Sequence, residues 1–339
     1  MTKHAYPEYH KTLLEQSAYP AAPRRIKFEE TRRSYLYRTG EEVYKIRKTS
    51  PIYSSPAVKE RFAQLAFALG RRWAGEPVRS VVAIVRTPTG YALGGAGEPV
   101  DYALCMEQLP DNQWMHRLLA ADKFTPTLAG RLARFVADHH AAAALEEKAA
   151  DAGRPEHLRE LLDELAYQSR KHVGVTVSEP VLDLIKRPLF HYLEQVRRLL
   201  SRRPKRGHIV DGHGALVPEH IHLHATDVHA LAALEAQAKY RILDAANDVA
   251  VLVNALELRG HAEQGDVFLK RYMSAAKDRD LPRVLPVYRL LQALRGGLLR
   301  SEWCMEHPEG SKERQELVQE AGAYYHLGVQ VARELPKLA

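Results

Sequence analysis

The hydrophobic period of this 339-residue chain shifts from mainly strand-like to mainly helical near Leu109-Pro110. Upstream, apolar residues alternate as they do on a strand with one buried face. Ser34-Tyr35-Leu36-Tyr37-Arg38 is followed by a Thr39-Gly40 turn and then by Val43-Tyr44-Lys45-Ile46-Arg47. The alternation, with its aromatic and β-branched content, predicts a hairpin. Ser54-Ser55-Pro56 is a helix-entry signal. Behind it Phe62, Leu65, Ala66 and Leu69 recur at helical spacing. Val81-Val82-Ala83-Ile84-Val85 predicts a buried strand, Thr87-Pro88-Thr89-Gly90 a turn, and Tyr91-Ala92-Leu93 its partner. Gly94-Gly95-Ala96-Gly97 predicts a second turn before a strand at Tyr102-Ala103-Leu104-Cys105-Met106.

Downstream of Trp114 the spacing is helical. Leu128, Leu132, Phe135, Val136 and His139 share one face of a long helix. Further helices are predicted over 156–171, from Ser178 to about Arg203 with a kink at Pro188, and over 245–258, 264–277, 287–307 and 311–335. Residues 208–237 break the pattern and predict loops and short strands. The order implies an α+β chain of two lobes: a small β-rich lobe over 1–109, and a larger helical lobe over 110–339 that carries the segment 208–237. A cleft between two such lobes is a natural ligand site.

Composition excludes several classes. Hydrophobic residues make up 45% and charged residues 27%, as in ordinary globular proteins. Asp244, Asp248 and Glu257 interrupt the most apolar stretch, and no run approaches the roughly 20 residues of a membrane span. Met1-Thr2-Lys3-His4-Ala5-Tyr6-Pro7 lacks the apolar stretch of a signal peptide. Cys105 and Cys304 make no disulfide framework, so a cytoplasmic location is expected. The net charge is +7, and much of the excess gathers at Arg197, Arg198, Arg202, Arg203, Lys205 and Arg206. Such a run would suit nucleic acid, anionic lipid or a phosphorylated ligand. A helix end whose cations complement the C-terminal dipole accounts for the same residues. No aromatic platform or reader motif accompanies them, so nucleic acid is not the expected partner.

Particular residues go further. Ala18-Tyr19-Pro20, Glu30-Thr31 and Ser34 form one group, and Val43-Tyr44-Lys45-Ile46-Arg47-Lys48 another. Gly95-Ala96-Gly97-Glu98-Pro99-Val100 with Tyr102-Ala103, and Arg117-Leu118-Leu119-Ala120, come next. Gly212-His213-Gly214-Ala215-Leu216-Val217-Pro218-Glu219-His220-Ile221 lines up with a pattern Gly-His-Gly-Asp-Leu-x-Pro-Glu-His-Ile. Leu234-Glu235 matches an Ile/Leu-Glu pair, and Arg241, Asp244, Asp248 and Ala250 match Arg-x-x-Asp-x-x-x-Asp-Leu-Ala. In this order, over nearly the whole chain, these groups resemble the bacterial aminoglycoside-phosphotransferase-like family of the protein-kinase-like fold. The resemblance implies a two-lobed kinase-like fold, ATP with Mg²⁺ as cofactor and a small-molecule phosphate acceptor.

It also shows where the chemistry departs. Phosphoryl transfer on such a fold is mostly positioning and charge neutralisation. By the resemblance, Lys45 stands at the phosphate-holding lysine, although one solvated lysine beside Arg47 and Lys48 would read the same way. The helix glutamate that orients the lysine aligns with Ala66, the catalytic aspartate with Ala215, and the metal-binding aspartate with Ala232. His220 takes the place of a metal-holding asparagine. Asp211 and Glu235 are the available substitutes, and Asp244 and Asp248 are expected to anchor the loop, with Arg241 pairing with one of them. Alanine at three such positions implies a degenerate, pseudokinase-like member. It would be a nucleotide-binding or regulatory protein that holds a small molecule or protein partner in the interlobe cleft. The alternative is an enzyme. It would carry out an atypical ATP-dependent phosphotransfer with Asp211 and Glu235, or metal-dependent chemistry around His220 and Glu235.

His208, His213, His220, His222, His224 and His229 crowd one segment. On a strand His220, His222 and His224 would share a face. A His-x-His pair chelates Zn²⁺, Cu²⁺ or Fe²⁺, and a carboxylate at Glu235 or Asp227 would add a ligand. His220, His222 and Glu235 are therefore the candidate ligands of a transition metal. A strand whose exposed side is merely rich in histidine fits the same pattern.

Overall fold

The alternating first third forms a six-stranded antiparallel sheet in the computed structural model, which describes residues 6–146, 151–224 and 226–336. Its strands are β1 (Lys27–Glu30), β2 (Ser34–Arg38), β3 (Glu42–Arg47), β4 (Val78–Thr87), β5 (Gly90–Leu93) and β6 (Glu98–Glu107), in the order β1-β2-β3-β6-β4-β5. Helix α1 (Pro56–Ala74) lies between β3 and β4 in the chain. It starts where the Ser-Pro signal predicts, with the Ser55 side chain accepting from the Val58 N–H and proline in the first turn. The predicted turns hold too. At Gly97, φ is 153° and a Cβ would fall 2.4 Å from the Arg86 carbonyl oxygen, so only glycine fits. Strand β1 goes beyond the sequence expectation. It is a charged outer strand with no apolar alternation to announce it, the usual character of a sheet edge.

The period of two divides the sheet residues between two cores. One face carries Tyr35, Tyr37, Tyr44, Ile46, Ile84, Ala103 and Cys105. It is covered by Tyr9, Leu13, Ala18 and Tyr19 from three short 3₁₀ turns between Glu8 and Ala18. Tyr9 donates to Asp101 at 2.7 Å, and Asp101 forms a buried ion pair with Lys59 of α1 at 2.5 Å. The other core joins Ala74, Val78, Leu104, Leu109 and Leu231, with Ala66, Phe67, Val81, Met106 and Trp114 packed against it. Lys45, between Tyr44 and Ile46, belongs to the face opposite the tyrosines.

The second part of the chain is helical: α2 (Met115–Ala120), α3 (Pro126–Ala142), α4 (Pro155–Arg170) and α5 (Glu179–Leu200), which runs on through Pro188. After α5 come β7 (Ile209–Asp211), β8 (Ile221–Leu223), β9 (Val228–Ala230) and β10 (Ile242–Asp244). Four helices follow: α6 (Ala246–Glu257), α7 (Ala262–Ala276), α8 (Leu281–Cys304) and α9 (Lys312–Arg333). Strand β7 pairs with β10, and β8 with β9, both antiparallel. Helix α6 is buried all round from Ala246 to Leu256 and is the centre of this core. Helix α8 starts at Leu281, one and a half turns before the predicted Val287. Pro286 lies inside the helix and leaves the Pro282 carbonyl without its i→i−4 donor, yet α8 runs on through it.

Two compact units result: Met1–Trp114 with Ile221–Gln237, and Met115–His220 with Ala238–Ala339. The sequence expectation gives all of 208–237 to the helical lobe. The structure moves 221–237 to the sheet unit, because Leu231 enters its second core and His229 bonds the Ala74 carbonyl at the end of α1. The basic run at the end of α5 is not one solvated patch. Arg203 is fully buried, Arg197 pairs with Glu156 and Glu194, and Arg206 pairs with Asp280. Among the described residues no helix is long and apolar enough to cross a membrane.

Candidate functional site

In the sheet unit the candidate residue Lys45 lies on β3. Residues two apart on a strand share a face, so Lys45 and Arg47 project together. Arg47 forms an ion pair with Glu235, which is 4% exposed and sits in the stretch after β9. Tyr53, in the loop before α1, donates its hydroxyl to Glu235 Oε1 at 2.9 Å. The Arg47 guanidinium lies 5.8 Å from the Tyr53 ring centroid, and Tyr53 packs edge-on against Phe62 of α1. Lys45 is half-buried, and its side chain has no hydrogen bond or ion pair among the described residues. Burial pushes its ammonium down to about 7. Arg47 adds to that shift and Glu235 opposes it. Burial works the other way on Glu235, but Arg47 and Lys45 outweigh it and hold the carboxyl below its usual range.

Ala66 packs with Phe67, Val81 and Met106 in the apolar core, so α1 offers no carboxylate there. The buried charge on α1 is instead a cation, Lys59, spent on Asp101. The counter-charge near Lys45 comes from Glu235. The sequence treats Glu235 as a substitute metal ligand and gives Arg47 and Tyr53 no role. Their signal is present but faint. Arg47 is two residues from Lys45, whereas nothing local marks Tyr53.

Ala232, in the same unit, has φ of 60°. A left-handed backbone costs a residue with a Cβ about 1–2 kcal/mol, and aspartate, asparagine and glycine tolerate it best. Replacing Ala232 by glycine should therefore raise stability by about 1 kcal/mol. A urea midpoint shifted upwards at constant slope is the expected record; a downward shift would mean the alanine methyl contributes more packing than its backbone costs.

In the helical unit the loop after β7 is held from behind. Asp248 of α6 accepts the N–H of His213 at 2.6 Å and of Gly214 at 2.7 Å. His140 of α3 brings Nε2 to 3.2 Å from Asp248, and its Nδ1 lies 2.8 Å from the Tyr272 hydroxyl of α7. Burial raises the Asp248 carboxyl, and the hydrogen bond and charge of His140 more than reverse that, so it stays ionised. A Cβ at Gly212 would meet Asp248 Oδ2 at 2.5 Å, which explains the glycine. Arg295 of α8 donates to the Gly214 carbonyl at 3.1 Å and stacks on Tyr240. His220 donates Nδ1–H to the Ala215 carbonyl at 2.8 Å. The loop is fully braced around a residue with only a methyl group.

Arg241 pairs with Asp211 at 2.5 Å, a partner the sequence expectation does not name. Asp244 is engaged by Arg203, and Asp248 by His140. Asp211, the substitute base, is therefore tied to a guanidinium.

The histidine face is also revised. Strand β8 covers only 221–223, and His220 lies in the 3₁₀ turn before it. His222 is buried, donates Nε2–H to the Pro110 carbonyl at 3.1 Å, and packs on Trp114 and His229. Burial lowers its pKa, against the pull of that carbonyl. His224 is half-exposed, 4.0 Å from Asp227. Glu235, the third candidate ligand, is committed to Arg47. Among the described residues no three His, Cys, Asp or Glu side chains form a metal-holding group.

No family model matches the chain. It is 26% identical over 259 residues to uncharacterised proteins of Mycobacterium bovis and Mycobacterium tuberculosis. That alignment covers 75% of this chain, and the chain spans about half the length of these relatives. Among solved structures it resembles the choline kinase of Cryptosporidium parvum (TM-score 0.57, 10% identity, 94% of each chain). It also resembles the GDP complex of aminoglycoside 2'-phosphotransferase-IIIa (TM-score 0.53, 18% identity, 94% of this chain and 99% of that one). A choline/ethanolamine kinase family protein of Mesorhizobium loti matches with a TM-score of 0.51 at 11% identity, over 91% of this chain and 92% of that one. The chain has the aminoglycoside-phosphotransferase-like, protein-kinase-like α+β fold.

Proposed function

We propose that this chain is a pseudokinase-like binding or regulatory protein on a phosphotransferase scaffold. The observation that carries the reading is a backbone kept in the shape of a polar site while the side chains are gone. Ala232 holds a left-handed conformation that suits aspartate better than alanine, and Ala215 sits in a loop braced by Asp248, Arg295 and His220. A methyl group neither accepts a hydroxyl proton nor binds a metal.

The residues present fit one half of the implied cofactor. Lys45, a cation with no ion pair among the described residues, suits a phosphate group. Mg²⁺ fits poorly, because it wants several oxygen ligands, two candidate carboxylates are alanine, and Glu235 is held by Arg47. The tie between Asp211 and Arg241 weighs against phosphotransfer by substitution. The ligand class supported is a nucleotide or another phosphate-bearing small molecule. The GDP complex of the aminoglycoside phosphotransferase neighbour supports this, as does the kinase-like fold. A protein partner in a cytoplasmic setting is the regulatory form of the same proposal.

Calorimetric titration with ATP, with and without Mg²⁺, tests it. The expected result is binding that does not depend on Mg²⁺, with no release of phosphate. Micromolar binding, about 8 kcal/mol, that requires Mg²⁺ and is accompanied by hydrolysis would overturn the proposal.

A further inference from the structure

Lys45, Arg47 and Tyr53 converge on one carboxylate, and the charges do not balance. Two basic side chains face one carboxylate, so whenever Lys45 is protonated one positive charge is left over in a poorly solvated place. Arg47 Nη2 and the Tyr53 hydroxyl both engage Glu235 Oε1, whereas Lys45 feels its field without an ion pair among the described residues. Removing ions from water is repaid only when pairing is complete, and here it is not.

We infer that Glu235 is a tethered stand-in for a phosphate group, so that Lys45, Arg47 and Tyr53 form an anion site that opens when Glu235 gives way. The inference rests on the reading of Lys45 as the ligand-facing cation. A terminal phosphate brings close to two negative charges and three acceptor oxygens, which match a guanidinium fork, an ammonium and a hydroxyl better than one carboxylate does. Glu235 lies outside helix and strand, so rotating its side chain away unwinds no element. The stand-in also accounts for the low exposure of Glu235. A carboxylate that served solvent or surface pairing would not be 4% exposed with one oxygen, Oε1, shared by Arg47 and Tyr53. The site would thus bind phosphate only against its own internal competitor, and any contact that pulls Glu235 aside would raise its affinity. Such a coupling is the form a regulatory protein needs.

The test is calorimetric titration of the full chain with inorganic pyrophosphate. Glu235→Gln keeps the shape and an acceptor for Tyr53 but removes the competing charge. It should bind pyrophosphate about tenfold tighter than the parent, well within the usual range of coupling between sites. Adding Lys45→Met should remove that gain. Glu235→Ala, which removes the competing carboxylate and leaves Lys45, Arg47 and Tyr53 in place, should give a gain in the same direction and serves if Glu235→Gln does not fold. Unchanged or weaker binding in folded Glu235→Gln, or in folded Glu235→Ala, would overturn the tethered anion and leave the function proposed above standing. Tighter binding together with ATP turnover in Glu235→Gln would support the tether and overturn the pseudokinase reading.

Discussion

Replacing Arg203 by methionine should cost about 3–5 kcal/mol, the range for removing one partner of a buried ion pair. Arg203 is fully buried near the end of α5. Its guanidinium holds Asp244 through Nε and Nη2, and Asp278 at 3.0 and 2.7 Å. Asp244 also accepts the Ala246 N–H at the start of α6, and Asp278 the Asp280 N–H before α8. One cation therefore fixes where three helices meet, and methionine would leave two buried carboxylates facing an apolar chain. The pH dependence distinguishes this from a simple packing loss. Burial raises the Asp278 carboxyl, but Arg203 outweighs it and the net shift is downward. In the parent this stabilisation is fully present above the ordinary carboxylate range of about 4 and is lost as pH falls through the lower folded value. In Arg203→Met the same groups would have raised pKa values, so the variant would be penalised most near neutrality. The gap between parent and variant should narrow on acidification from pH 7 to 5. Urea denaturation across that range measures it. A gap that stays constant would show that the loss comes from packing and not from stranded charge.

The second large effect belongs to Asp248. Its replacement by alanine strands two buried backbone N–H groups, His213 and Gly214, and leaves His140 without its carboxylate. Each unsatisfied buried donor costs about 1–3 kcal/mol, so Asp248→Ala should lose roughly 3–5 kcal/mol. Asp248→Asn keeps one acceptor oxygen and should lose about half as much. Thermal melts of the two variants give the comparison. Equal losses would mean that the charge on Asp248, and not its acceptor oxygens, holds the loop.

Much of the fold was legible because it rests on local patterns. Tyr44, Lys45 and Ile46 alternate, and Ser55-Pro56 opens a helix where such a pair should. The core helix α6 follows from its apolar run Val249–Val253. What escaped was long-range. Nothing in the spacing of Tyr9, Lys59 and Asp101 shows that they form one buried network, and the basic run near Arg203 does not reveal that one of its members lies in the core. The site divides the same way. The three alanines are visible in sequence, and so is a shared face for Lys45 and Arg47. The partner of Arg241 is a tertiary choice between nearby carboxylates, and the shared histidine face did not form because period two was extended beyond a strand only three residues long.

The brace behind the Gly212–Ala215 loop has a consequence for how such a protein diverges. Its shape is held by a side chain from the most deeply enclosed helix of the chain, not by the residues that would meet a ligand. Form and reactivity are thus inherited separately. A lineage can shed every reactive group at the tip of the loop and still pass on its contour unaltered, because the parts that preserve the contour are those that folding itself keeps under selection.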